Sequence, residues 1–319
     1  MPVLLQARIV EKREVNACLD YRCHHHFAWC AFNIVFFCLY QLRRHEESSQ
    51  NMNPLRTHQI PRIAGHRGYS AGAPENTLAA FRKAFEAGGK GTICETDLAL
   101  TTDGELVLIH DETVDRTTDG QGLIRNMSYS DIIQLDAGRW FDNHSTFAGE
   151  RIPRLRDALS LARELGIILQ VELKVYDRNE VIFPKLKALI DELHCADLLQ
   201  FSSFDFVQLR GLKKAIPDVP TVGILHSRLI DPSTLAREAN VDAINLEIEH
   251  FPSGEAYQLH KDGFAVFLHV PRPQRLEKLM AYGVDVEASV VDWIREGLLD
   301  QIISDDVVQM ARIRKIACE

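Results

Sequence analysis

From residue 61 onward the chain alternates between two hydrophobic patterns. Short apolar runs of strand length end in polar or charged residues, and between them lie stretches with apolar positions at helical spacing. The runs fall at 62–65, 92–99, 106–110, 167–173, 198–202, 221–225, 242–246 and 265–270. Helical spacing fits 77–87, 155–165, 179–193, 204–215, 232–238, 254–261 and 273–281. Strands alternating with helices in this way predict an α/β fold, a (β/α)8 barrel of the TIM type. One interval breaks the alternation. Between Asp97 and His110 stands only LALTTDGELVLI, with a Thr-Asp-Gly turn and no helical stretch. Parallel neighbours need a crossover, usually helical, so the barrel is expected to be irregular on this side. Residues 111–153, rich in Thr, Gly and Asp, then form a long excursion of the kind that serves as a lid or substrate wall.

The first sixty residues break the pattern differently. Residues 27–40, FAWCAFNIVFFCLY, are apolar apart from one Asn. This run is shorter than the ~20 residues that span a bilayer comfortably. No small-x-small cleavage site follows; instead comes Gln41-Leu42-Arg43-Arg44. A marginal membrane anchor, an atypical export signal and an extension outside the functional domain all fit. An internal Met52 shortly before the first strand favours the extension, as an over-long gene start. The expected organisation is therefore an N-terminal extension over 1–60 and a barrel domain over 61–319. The expected location is the cytoplasm, with membrane association through residues 27–40 as the alternative.

Composition narrows the partners. Of the 319 residues, 46% are hydrophobic and 25% charged, which is ordinary for a globular protein. The formal net charge of −9, without any strong Lys/Arg cluster, excludes a general nucleic-acid binder and leaves small molecules. Four of the seven cysteines (Cys18, Cys23, Cys30 and Cys38) crowd the N-terminus, while Cys94, Cys195 and Cys318 are scattered. An odd total without regular spacing is not a disulfide framework. Cys18, Cys23-His24-His25-His26 and Cys30 match no usual zinc spacing. Cys94 is expected to pack outside the barrel as a small apolar residue.

Chemistry-bearing residues gather at the ends of the early strands. IAGHRGYSAGAPENT (63–77) delivers His66 and Arg67 to the exit of the first strand. His moves a proton near neutral pH, and Arg offers a planar fork to phosphate oxygens. Glu95 and Asp97 follow on the second strand, His110-Asp111 on the third, and Glu172 and Lys174 on the fourth. In a parallel barrel those ends converge on one face. Glu95 and Asp97 are two apart and share one side of the strand. With Glu172 they offer three hard oxygen ligands, which suit Mg2+ or Ca2+ better than zinc.

A longer set of motifs carries a family resemblance. It runs His66-Arg67-Gly68, Pro74-Glu75-Asn76-Thr77, Glu95-Thr96-Asp97, Thr102-Asp103-Gly104 and His110-Asp111. It continues with Arg116-Thr117-Thr118, Leu135-Asp136-Ala137-Gly138, Trp140-Phe141, Glu150-Arg151-Ile152-Pro153 and Val171-Glu172-Leu173-Lys174. In this order and spacing, over residues 61–306, the chain resembles the glycerophosphodiester phosphodiesterases. The resemblance implies an irregular (β/α)8 barrel and hydrolysis of glycerophosphodiesters to glycerol 3-phosphate and an alcohol. It makes His66 and His110 the catalytic pair, and Glu95, Asp97 and Glu172 the ligands of a divalent metal. Arg67 and Lys174 would hold the phosphate, and Glu75 would order the loop. The nucleophile would be water, or the substrate's own 2-hydroxyl by way of a cyclic phosphate.

Two alternatives share the barrel. A lysophospholipase D or sphingomyelinase D-like activity on membrane lipids would use residues 27–40 for membrane contact. A non-catalytic phosphodiester-binding barrel would not need two proton carriers. The late part departs from the family pattern: Leu268-His269-Val270-Pro271 stands where many members have Trp-Thr-Val-Asn, and Ser304-Asp305-Asp306 replaces the closing Thr-Asp after a helical-looking insert at 286–299. These changes fall on the pocket for the substrate's alcohol, which His269 either faces or packs beside.

Overall fold

A computed structural model describes residues 53–57, 60–142, 146–271 and 273–319. The expectations for residues 27–40 and for the Cys18–Cys30 stretch fall outside them. Among the described residues no helix is long and apolar enough to cross a membrane.

Nine strands form one sheet. They are β1 (Arg62–Gly65), β2 (Ile93–Leu100), β3 (Leu106–Leu108), β4 (Ile168–Leu173), β5 (Leu199–Ser203), β6 (Thr221–Leu225), β7 (Ala243–Glu247), β8 (Ala265–Val270) and β9 (Gln301–Ser304). The order β1-β9-β8-β7-β6-β5-β4-β2, closed by parallel pairing of β1 with β2, makes an eight-stranded parallel barrel. Around it run α1 (Leu78–Gly88), α2 (Tyr129–Ile132), α3 (Leu155–Leu165), α4 (Asn179–Leu193), α5 (Phe206–Ala215) and α6 (Pro232–Ala239). They are followed by α7 (Glu255–Lys261), α8 (Pro273–Ala281), α9 (Val286–Arg295) and α10 (Val307–Cys318). The irregular barrel expected from sequence is present.

Two strand assignments change. The run at 106–110 is not a barrel strand. β3 pairs antiparallel with β2, Leu98 facing Leu108, because the Thr-Asp-Gly turn is a hairpin connection. The eighth barrel strand is instead β9, pairing parallel with both β8 and β1. Its four residues are too few for a periodic signal.

Side-chain parity divides each strand between two cores. Outward residues such as Leu98, Val171, Ile244 and Leu268 pack with the helices in the main apolar cluster. Cys94 is among them, as expected. Inward residues Ala64, Ile93, Val222, Ala243, Ala265, Phe267 and Ile303 fill the barrel, and Leu55 joins them from the described part of the N-terminal stretch. Beside them inside the barrel, Gln200 Nε2 donates to Gln170 Oε1 (2.7 Å) and Gln301 Oε1 (2.9 Å). The excursion after β3 has a third small core of its own, built from Val107, Ile109, Val114, Ile124, Ile132, Ala137 and Ile152.

Candidate active site

β1 ends at Gly65, where a Cβ would lie 2.4 Å from the carbonyl oxygen of Gly68. Only glycine permits that tight reversal, which turns His66 and Arg67 over the barrel mouth. Arg67 adopts φ +57°, as does Asn76 at +59°, a conformation held here by local hydrogen bonds. The Arg67 backbone N–H donates to Glu95 Oε2 (2.9 Å). The Asn76 amide donates to Asp97 Oδ2 (2.8 Å), and its carbonyl accepts from Thr96 Oγ1 (2.6 Å). The loop between β1 and α1 is thus bound to the carboxylates of β2.

Glu95, Asp97 and Glu172 come together as expected, each buried, with one oxygen from each within 4.8 Å of the others. Parity explains it: Glu95 and Asp97 share the inward side of β2 with Ile93, and register puts Asp97 opposite Glu172 on β4. Lys174 Nζ lies 3.3 Å from Asp97 Oδ1 and 3.5 Å from Glu172 Oε1. Arg67 Nε is 3.5 Å from Asp97 Oδ2. Burial works against ionising Asp97, yet Lys174, Arg67 and the Asn76 hydrogen bond hold its carboxyl below the usual range. Burial, with the charges of Asp97 and Glu172, drives Glu95 well above it. Burial and the charge of Asp97 push Glu172 up to about 7.

One ammonium and one guanidinium, Lys174 and Arg67, therefore do not balance three buried carboxyl groups. Glu95 Oε1 and Glu172 Oε1 are buried and accept no hydrogen bond from any described residue. Buried anionic oxygens in this state call for a cation, and an all-oxygen donor set fits a hard divalent ion.

The two histidines reach this centre by different routes. His66 leaves β1 directly. His110 arrives because β2 runs on into the hairpin and β3 brings the chain back, with the Ile109 N–H bonded to the Asp97 carbonyl (2.9 Å). Each ring is held at Nδ1 by an aspartate: His66 by Asp305 Oδ1 (2.8 Å), His110 by Asp111 Oδ1 (2.7 Å). Burial lowers the proton affinity of His66, and the Asp305 hydrogen bond opposes it. In the neutral ring this leaves Nε2 as the exchangeable nitrogen, and His66 Nε2 lies 3.9 Å from Glu95 Oε2.

Asp305 carried no chemical expectation from sequence. Its signals were its place in Ser304-Asp305-Asp306, the counterpart of the closing Thr-Asp, and its position one residue beyond a strand too short to recognise. Glu75 is embedded in charge: its Oε1 accepts from Arg67 Nη1 (2.6 Å) and Arg116 Nη2 (2.7 Å). Arg116 Nε in turn donates to Asp111 Oδ2 (2.7 Å). A chain of alternating charge thus links Arg67 to the aspartate behind His110.

Known proteins resemble this chain in sequence and in fold. The model of the glycerophosphoryl diester phosphodiesterase family matches residues 66–309. A glycerophosphodiester phosphodiesterase of Caldanaerobacter subterraneus subsp. tengcongensis is 35% identical over 256 residues, 76% of this chain and 93% of that protein. An Oleispira antarctica phosphodiesterase, solved in complex with the product sn-glycerol-3-phosphate, matches with TM-score 0.69 and 26% identity, covering 80% of this chain and 97% of that one. A glycerophosphodiester phosphodiesterase from Agrobacterium tumefaciens matches with TM-score 0.64 and 28% identity, over 79% of this chain and 100% of its own. With the family model matching residues 66–309 and a relative aligned over nearly its full length, the chain belongs to the glycerophosphoryl diester phosphodiesterase family of enzymes.

Proposed function

We propose that this chain hydrolyses glycerophosphodiesters to sn-glycerol 3-phosphate and a free alcohol, with His66 and His110 as the acid–base pair beside a divalent cation held by Glu95, Asp97 and Glu172. The observation that carries the reading is two imidazoles, each fixed at Nδ1 by an aspartate, flanking three buried carboxylates at one barrel mouth. Mg2+ or Ca2+ fits those oxygen ligands, and when bound it supplies charge to a phosphoryl oxygen.

The remaining work falls to side chains. Arg67 and Lys174, held beside the carboxylates, present donors to the phosphate oxygens, Arg as a fork and Lys as a point charge. One histidine takes a proton at Nε2 from the attacking hydroxyl, of water or of the substrate's 2-position, as the new P–O bond forms. The other gives its Nε2 proton to the leaving oxygen as the old P–O bond breaks. Taken to completion, either route consumes one water and releases one alcohol. Each proton transfer contributes roughly 10²–10⁴-fold. Glu75, between Arg67 and Arg116, keeps the phosphate-facing guanidinium in place.

The test is release of glycerol 3-phosphate by purified protein supplied with metal. Expected is turnover that His66→Ala and His110→Ala each abolish while circular dichroism stays native. A folded variant retaining near-native rates would remove that histidine from the reaction. Binding of a phosphodiester without any product would leave a non-catalytic barrel as the better description.

A further inference from the structure

The half of the mouth formed by β7 and β8 lies across the barrel from β2 and β4, β7 four strands from β2 and β8 four from β4. It carries polar groups that the acid–base scheme does not use. Glu247, the last residue of β7, accepts from His269 Nδ1 (3.3 Å), and its other oxygen lies 3.0 Å from His226 Nδ1. The His269 ring meets the His66 ring edge-on, with centroids 5.1 Å apart, so this cluster adjoins the reacting centre. The His226 ring stacks on Phe204 at 4.4 Å, which fixes it at the rim.

Two acceptors in this region have nothing to accept from. In the tautomer that gives Nδ1–H to Glu247, His269 offers Nε2 as an acceptor, and that atom is buried without a hydrogen-bond partner among the described residues. Asn245 shares the inward side of β7 with Ala243 and Glu247. It is 5% exposed, and its Oδ1 is likewise buried and unpartnered. Buried acceptors left unmade are costly, and natural proteins keep few of them. Both stand at inward positions of β7 and β8; in the reading above Arg67 and Lys174 take the phosphate on the other side of the mouth, which leaves this wall to the alcohol.

We propose that Asn245 and His269, the latter oriented by Glu247, form the subsite for the leaving alcohol and select alcohols that present N–H or O–H donors. This inference rests on the hydrolytic reading above. The favoured head groups would be a primary ammonium or a polyol. A quaternary ammonium of the same length, cationic but without an N–H, leaves both acceptors buried and unsatisfied. Sites built to bond a donor reject the analogue that lacks it far more strongly than apolar pockets reject a methyl group.

The experiment compares kcat/KM for glycerophosphoethanolamine and glycerophosphocholine, which differ in three N-methyl groups, on the intact metal-supplied enzyme. The ethanolamine diester should be preferred by about tenfold or more. Asn245→Leu and His269→Phe, checked for native melting, should each bring the ratio towards one. A ratio near one in the unmodified enzyme would overturn the subsite alone, and that measurement stands even if a variant fails to fold. A preference unchanged in both folded variants would also overturn it. No glycerol 3-phosphate from either diester would overturn the hydrolytic reading and this inference together.

Discussion

Replacing Asp305 by Asn isolates what the carboxylate behind His66 contributes. The amide has the carboxylate's shape, so Ser70 Oγ, which donates to Asp305 Oδ1 at 2.7 Å, retains an oxygen to bond. What changes is the 2.8 Å contact to His66 Nδ1. A charge-assisted hydrogen bond becomes a neutral one about half as strong, a loss of about 1–1.5 kcal/mol, or roughly tenfold. If the amide instead turns its NH2 towards the ring, Nδ1 must become the acceptor and the proton moves to Nε2. The corresponding aspartate-to-asparagine change in the serine-protease triad lowers kcat by about 10⁴-fold through that wrong tautomer. Asp305→Asn should therefore reduce kcat by about 10- to 10⁴-fold, with KM changed little. A second readout separates positioning from general damage. Burial already lowers the proton affinity of His66, and the Asp305 hydrogen bond opposes it. Removing that opposition should move the His66-governed limb of the pH–rate profile to lower pH. Initial rates of glycerol 3-phosphate release across pH report both quantities. A variant with kcat within threefold of native, or an unmoved limb beside a large rate loss, would refute the reasoning.

Chelation by EDTA should inactivate the enzyme reversibly, and restoring Mg2+ or Ca2+ should raise the melting temperature as well as the rate; full activity in excess chelator would remove the metal. Metal affinity should fall on acidification, because Glu172, held near 7 by burial and Asp97, must lose its proton for the ion to bind. Calorimetry in buffers of different ionisation enthalpy should show proton release that grows as pH drops from 8 to 6, and binding without proton release would contradict it. Asn76→Ala should destabilise the fold by about 2–4 kcal/mol in urea unfolding, since it removes the bonds to Asp97 and Thr96 and leaves alanine at φ +59°. A loss below ~0.5 kcal/mol would show that the loop is held by other contacts. Arg116→Ala should lower kcat more than it raises KM, because it frees Asp111 from its 2.7 Å bond and so loosens His110; a pure KM effect would assign Arg116 to substrate binding instead.

Much of this site was legible in the linear chain because each element is marked by a local rule. Alternation of apolar strands and amphipathic helices specifies the barrel, and two-residue spacing puts Glu95 and Asp97 on one side of β2. Residues at the ends of parallel strands converge on one mouth, so His66, Glu172 and Lys174 could be grouped before any coordinates. Tertiary structure decided what depends on pairing between distant segments. β9 has only four residues and no periodicity of its own; it is a strand because β8 and β1 present open edges for it. With β9 comes Asp305, some 240 residues from the histidine it orients. Likewise His110 reaches the centre by an antiparallel return, and Asn245, Glu247 and His269 become one surface only when β7 pairs with β8. Spacing along a chain encodes the face of an element, whereas which faces meet depends on hydrogen-bond register and barrel closure.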